Sequence, residues 1–265
     1  MHNQLVMKSK ISIVNTSFDM EGITLKSYIT SITRFAEKNG FDHLRILDDL
    51  LDYIIGFLSP LPIKNSRWNY TPEQTTYFYQ LMLDFFRLCS AEIDKQGWYD
   101  AWGDLFMELK GNSAGYRNQF FTPPCVADLA KRFTDVESET NCKNFGFRPV
   151  INDPTCGSAR MLLAANNAYE REGKKKPYLI AEDIDFMCCK MSAVNIAIHG
   201  CYGEVICHNS LCEPKSLQIG YIINEGLYPS KDGLPTIRTT LDKSYFVFDF
   251  SEPVEVNEVK ELTLF

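Results

Sequence analysis

The stretch Val150-Ile151-Asn152-Asp153-Pro154-Thr155-Cys156-Gly157-Ser158-Ala159 decides the fold. An apolar strand, Pro149 to Asn152, runs into a turn of small residues, and a helix from Ser158 to Arg171 follows. Such a turn lets a ligand approach the backbone closely. The first N–H groups of the helix have no partner inside it and face that ligand. The turn carries neither G-x-x-x-x-G-K-[ST] nor G-x-G-x-x-G, so it is not a phosphate loop. It carries an acid instead, Asp153. A carboxylate beside a small-residue turn suits a ligand with positive charge, hydroxyls and an amino group better than one with phosphates.

Outward from this turn the pattern alternates. Tyr178 to Ala181 reads as a second strand, Asp185 to His199 as a second helix, and Glu204 to Cys207 as a third strand. Strand–helix–strand–helix–strand predicts an α/β fold with a parallel sheet and right-handed crossovers. The second strand ends Ala181-Glu182-Asp183-Ile184-Asp185. A carboxylate at that tip accepts the hydroxyls of a ribose, and Asp183 is the candidate. Asp185, just beyond, reads as the cap of the next helix. The third strand ends Cys207-His208-Asn209-Ser210, where a polar side chain is placed to reach a base edge or simply to make a turn.

The residues before the turn read differently. Leu44, Leu47, Leu51, Ile54 and Leu58 step by three and four along one helix face, and Pro60 and Pro62 end the run. Thr71-Pro72-Glu73-Gln74 is a capping box with proline at the first helical position. Phe78, Leu81, Met82, Phe85, Cys89 and Ile93 form the face behind it. Trp98, Trp102, Leu105 and Leu109 continue the periodicity as core aromatics and aliphatics. Pro123-Pro124 opens a short helix with Val126, Leu129, Ala130 and Phe133 inward. The organisation predicted is a helical region over 1–110, an α/β domain over 111–250 and an acidic tail over 251–265.

Composition excludes several classes. The chain has 265 residues, 45% of them apolar and 23% charged, which is a globular profile. The longest unbroken apolar run, Met161 to Ala165, is five residues, far short of the ~20 of a membrane-spanning helix. The opening MHNQLVMKSK has no apolar signal-like core. Nine cysteines form no C-x-x-C pair and, with four histidines, no zinc spacing; they read as buried small hydrophobes of a cytoplasmic protein. No metal site is expected. The net charge of −7 argues against a chain that grips DNA unaided, since such proteins carry a basic excess.

The series NQFFTPP, DPTCGSA, IAEDID with NIAIHG, and VICHNSL resembles the N6-adenine DNA methyltransferases. It is most similar to the modification subunits of type I restriction–modification systems. The resemblance covers roughly residues 70 to 212. It implies a Rossmann-like methyltransferase sheet, S-adenosylmethionine as cofactor and methyl transfer to adenine N6 in DNA. It also implies a partner, a specificity or companion subunit, for DNA recognition. Gln119, Phe120, Phe121, Thr122 and Pro123 match the segment over the methionine end of the cofactor. Asp153, Pro154, Cys156, Gly157 and Ser158 match the main cofactor loop, Asp183 the ribose acid, and Asn209 the adenine contact.

The sequence departs from the family pattern in three places. Ala159 stands where the family has a second glycine; at positive φ an alanine there costs ~1 kcal/mol. Asn209 replaces the usual aspartate. The catalytic Asn/Asp-Pro-Pro-Phe/Tyr is missing. Its nearest stand-in is Tyr221-Ile222-Ile223-Asn224-Glu225-Gly226-Leu227-Tyr228-Pro229, with Asn224 as the amine acceptor and Tyr228 as the stacking ring. After Leu211 only 54 residues remain, whereas the rest of a full sheet needs ~60 or more. The expectation is therefore a reduced methyltransferase-like chain, active with a partner or, alternatively, an inactive cofactor-binding or protein-interaction module.

Overall fold

The computed structural model describes residues 22–61, 70–110, 121–130, 139–211, 216–225 and 234–250. Four helices come first: α1 (Leu25–Asn39), α2 (His43–Leu58), α3 (Pro72–Gln96) and α4 (Ala101–Lys110). The capping box of α3 forms as its sequence predicts. Thr71 Oγ1 accepts the Gln74 N–H at 3.2 Å, and Gln74 Oε1 accepts the Thr71 N–H at 2.8 Å. The apolar stripe of α2 is buried along its whole length, Leu44 through Leu58. Aromatic packing joins these helices: the Phe85 and Trp102 rings lie 4.4 Å apart, and Trp102 is fully buried. Burying one leucine or isoleucine stabilises by ~1.5–3 kcal/mol, so the buried stripe of α2 is a large contribution to this core.

A short helix α5 (Pro124–Ala130) precedes the sheet. The strands are β1 (Glu139–Asn141), β2 (Phe147–Asp153), β3 (Tyr178–Asp183), β4 (Tyr202–Cys207), β5 (Ile219–Ile223) and β6 (Ile237–Thr240), and they lie side by side in chain order. Helices α6 (Arg160–Arg171) and α7 (Phe186–Ile198) make the two crossovers. Strands β2, β3 and β4 are parallel, as the strand–helix alternation predicts. The remaining pairings, β1 with β2, β4 with β5 and β5 with β6, are antiparallel, so the sheet is mixed rather than wholly parallel. The reason for β5 is its connection. Eleven residues separate Cys207 from Ile219, and a parallel return needs a crossover of about a dozen residues or more.

Both crossovers run in one direction, so both helices cover the same face. Leu179 and Ala181 of β3 point into that helical core, and Tyr178 and Ile180 point the other way, as a period of two demands. The helical region docks on α7. Lys190 of α7 reaches Asp48 and Asp52 of α2 at 2.7 and 2.8 Å. The opposite face carries no α-helix among the described residues. It is closed by Phe145, Val247, Phe248 and Phe250 around buried Phe246. Glu204 of β4, itself buried, holds that cover: its carboxylate accepts the Val247 and Phe248 N–H groups and the Tyr178 hydroxyl.

The strand β1 pairs with only the first three residues of β2. Val150 to Asp153 therefore have no strand on that side among the described residues.

Candidate functional site

Parallel strands point their C-terminal ends the same way, so Asp153, Asp183 and His208-Asn209 come to one edge of the sheet. The loop from β2 to α6 lies over this edge. Asp183 organises it. One carboxylate oxygen accepts the Gly157 N–H at 2.9 Å, and the other accepts the Asp185 N–H at 2.9 Å. Further backbone bonds tie the same edge: Cys156 N–H to the Glu182 carbonyl and His208 N–H to the Asp183 carbonyl. Asp185 caps α7 through the Met187 and Cys188 N–H groups, the role its position predicts.

A cavity of about 310 Å³ opens here. Its lining includes Phe121, Thr122, Asp153, Cys156, Gly157 and Asp183, all candidates from the sequence. Gly157 has φ +55°, and a Cβ there would stand 2.7 Å from the Phe121 ring. Only glycine fits under that ring. The two acids are shifted in the same direction. Burial raises the Asp153 carboxyl, and the neighbouring Asp183 and Glu182 add to it, against the Thr155 N–H that lowers it. Burial likewise raises Asp183, against the N–H groups of Asp185 and Gly157. A cavity with two partly desolvated carboxylates and an apolar wall of Phe121, Met161 and Cys188 suits a cationic, hydroxyl-bearing ligand.

Other candidates stand elsewhere. Ser158 is fully buried with its hydroxyl donated to Asp100 at 2.5 Å, so its side chain faces the helices and not the cavity. Pro123 and Pro154 are exposed beside the cavity and not in its wall. Asn209 stands at the correct edge, but its side-chain oxygen accepts the Leu211 N–H at 3.0 Å and the residue is not in the wall. Gln119, Phe120 and Tyr228 lie outside the described residues.

Asn224 requires a correction. Because β5 runs antiparallel to β4, with Ile223 opposite Gly203, Asn224 emerges at the opposite edge of the sheet. It is 1% exposed. Its amide is used up: Nδ2 donates to the Cys201 carbonyl at 2.7 Å and the Ala197 carbonyl at 3.4 Å, and Oδ1 accepts the Thr236 N–H at 2.9 Å. A strand of six residues separates it from the cavity edge, about 17–20 Å. Asn224 is a structural residue with a positive φ, not a partner of the cavity.

Thr155, Arg160, Met161 and Cys188 complete the wall. Arg160 bonds Asp100 Oδ2 at 2.6 Å, Asp104 Oδ1 at 2.7 Å and the Thr122 carbonyl at 3.1 Å. Arg160 stands one residue past the quoted turn, and its partners lie 38 to 60 residues upstream. Position next to the turn was the one available signal.

The predicted absence of metal spacing stands beside one acidic group, Asp48, Asp49 and Asp52, whose charges already face Lys190 and Arg45. No helix among the described residues is long and apolar enough to cross a membrane.

Among solved structures the chain is similar to a protein described as a class I S-adenosylmethionine-dependent methyltransferase from Listeria monocytogenes. The identity is 12%, the TM-score 0.41, and the match covers 79% of this chain and 60% of that one. It is also similar to a type I restriction-modification system methyltransferase subunit from Streptococcus thermophilus. There the identity is 18%, the TM-score 0.29, and coverage is 67% of this chain and 36% of that one. The chain thus spans less than two thirds of either structure. Comparison with curated proteins gives no match. Residues 99–232, half of the chain, match the family described as N-6 DNA Methylase. That span runs from the start of α4 through the whole cavity edge, and on it the chain belongs to the N-6 DNA methylase family.

Proposed function

We propose that the cavity binds S-adenosylmethionine and that the chain takes part in methyl transfer to adenine N6 in DNA, with a companion chain supplying DNA recognition. The observation that carries this reading is the Asp183 carboxylate at the tip of β3, bonded to the Gly157 N–H across the loop. The Asp183 carboxylate accepts the Gly157 and Asp185 N–H groups and, with about four acceptor positions in all, retains capacity for a ribose hydroxyl. Asp153 adds negative charge where a sulfonium is to be held. Phe121 and Thr122 close the cavity from above the loop. When bound, the cofactor supplies an activated methyl group. The residues of this chain bind it, orient it and keep water from its apolar side.

Two observations support a companion. The net charge of −7 does not favour a DNA grip by this chain alone. The outer edge of β2 at Val150 to Asp153, beside the cavity, has no strand among the described residues, and such an edge accepts an extended segment.

A second reading is favoured by Asn224. With that residue at the far edge, the nearest stand-in for the family's catalytic asparagine or aspartate is not at the cavity. In this reading the chain binds the cofactor, or serves as an interaction module, and transfers no methyl group unaided. Tritiated methyl transfer to mixed genomic DNA, run with the chain alone and with co-purified partners, separates the two. Label in DNA adenine supports the first reading. Cofactor binding without label under either condition supports the second.

A further inference from the structure

One buried carboxylate outside the cavity is surrounded by donors from three parts of the fold. Asp100, 2% exposed, stands just ahead of α4. It accepts the Gly103 N–H at 2.8 Å, the Ser158 hydroxyl at 2.5 Å, the Arg160 Nε at 2.6 Å and the Asn195 Nδ2 at 2.8 Å. Asn195 of α7 also donates to the Ser158 carbonyl at 2.9 Å. The packing leaves no slack: a Cβ on Gly103 would lie 2.2 Å from Asp100 Oδ2 and 2.7 Å from Ser158 Oγ.

The residue between Ser158 and Arg160 is Ala159, with φ 68° and ψ 19°. That is left-handed backbone, which a Cβ-bearing residue resists and which persists where the surroundings over-determine it. Asp100 grips the residues on both sides of it. Arg160 then passes the grip to the Thr122 carbonyl above the cavity.

We propose that Asp100 is a positioning residue for the cofactor loop: by clamping Ser158 and Arg160 it holds Ala159 left-handed and keeps the Gly157 N–H facing Asp183. The proposal rests on the assignment of the cavity to S-adenosylmethionine. It adds that the affinity of the loop is set from the helical region.

The test is a double-mutant cycle read by calorimetry with S-adenosylhomocysteine. An asparagine at position 100 has one acceptor oxygen where the carboxylate has two and no charge, so it cannot serve four donors. Asp100→Asn is expected to weaken binding about tenfold. Ala159→Gly removes the left-handed penalty, so it restores about fivefold in the Asp100→Asn background and by a smaller factor in the parent. Equal effects of Ala159→Gly in both backgrounds overturn the proposal, because a residue needed only for general stability would not interact with that position. If Asp100→Asn does not fold, Ser158→Ala, which removes a single donor, replaces it: a loss of about threefold is expected, again reduced by Ala159→Gly, and additivity again refutes the clamp. If the parent itself binds no probe, the cofactor assignment fails and the clamp is judged separately. Amide hydrogen exchange over 156–163 is then expected to quicken at least tenfold in Asp100→Asn or Ser158→Ala, and unchanged exchange overturns it.

Discussion

Asp183→Asn is the sharpest perturbation of the cavity. In the parent one oxygen accepts the Gly157 N–H and the other the Asp185 N–H, both at 2.9 Å. The proposed ribose contact uses acceptor capacity that the carboxylate retains beside these bonds. Asparagine keeps one oxygen and presents an NH₂ group where the second stood, so a donor faces either the Gly157 or the Asp185 N–H. A hydrogen bond to a charged group is worth ~1.5–3 kcal/mol and a neutral one ~0.5–1.5 kcal/mol. Losing one charged acceptor and neutralising the other costs about 2–3 kcal/mol of binding, a factor of about 30 to 150 in Kd. Calorimetric titration with S-adenosylmethionine measures it, and the melting temperature of the free variant separates lost affinity from lost fold. A folded variant whose Kd changes less than threefold would refute the ribose role. The pH dependence has a definite sign. Burial raises the Asp183 pKa above its ordinary value, so the folded chain prefers the neutral acid. Its contribution to stability is full below the unfolded value and is lost as pH rises through the folded one. Ribose hydroxyls need the ionised form, so affinity falls as pH drops through that raised pKa while Asp183 itself makes the free fold more stable.

Asn224→Ala is expected to destabilise the fold by about 2–3 kcal/mol in urea unfolding, since it removes three buried hydrogen bonds and takes from the Cys201 carbonyl and the Thr236 N–H the side-chain partner each has, while the Ala197 carbonyl keeps the Gly200 N–H. Cofactor affinity is expected to stay within twofold, and a large loss of affinity without a loss of stability would restore Asn224 to the site. His199 carries a second pH effect. Its Nδ1 faces the Asn195 carbonyl at 2.6 Å and its Nε2 accepts the Tyr99 N–H at 3.1 Å, an arrangement for the neutral ring. Burial lowers its pKa to about 4. Folding stability is therefore expected to fall as pH drops from about 6.5 towards 4, and His199→Gln to flatten that part of a urea-midpoint profile. Glu204→Ala leaves the Val247 and Phe248 N–H groups without their acceptor. About 2–4 kcal/mol of stability is expected to be lost, with faster hydrogen exchange over 245–250; unchanged exchange there would show that the aromatic cover is held by packing alone.

Local physics made much of this legible. Helical spacing in Leu44 to Leu58 and the box at Thr71 need only neighbouring residues, and both formed as read. The tip of the second strand pointed to Asp183, and the resemblance, through the glycine it has where Ala159 stands, raised the question of a positive φ there, which the structure answers with 68°. The direction of β5 was not legible in the same way. The run Ile219 to Ile223 is apolar whichever way the strand points, and the length of its connection decides. That single reversal sends Asn224 to the wrong edge. Ser158 matches the cofactor loop as a motif, yet its side chain turns to Asp100, 58 residues earlier. Buried polar partners at such separations leave no periodicity to detect, and Arg160 and Asp100 went unread for the same reason.

The edge formed by Asp153, Gly157 and Asp183 is proposed to hold the nucleoside of S-adenosylmethionine. A crystal structure of the chain grown with S-adenosylhomocysteine tests it most directly. Density is expected in the cavity beneath Phe121, with the ribose hydroxyls within about 3 Å of the Asp183 carboxylate. Density at any other place, or a cavity without ligand at saturating concentration, would contradict it.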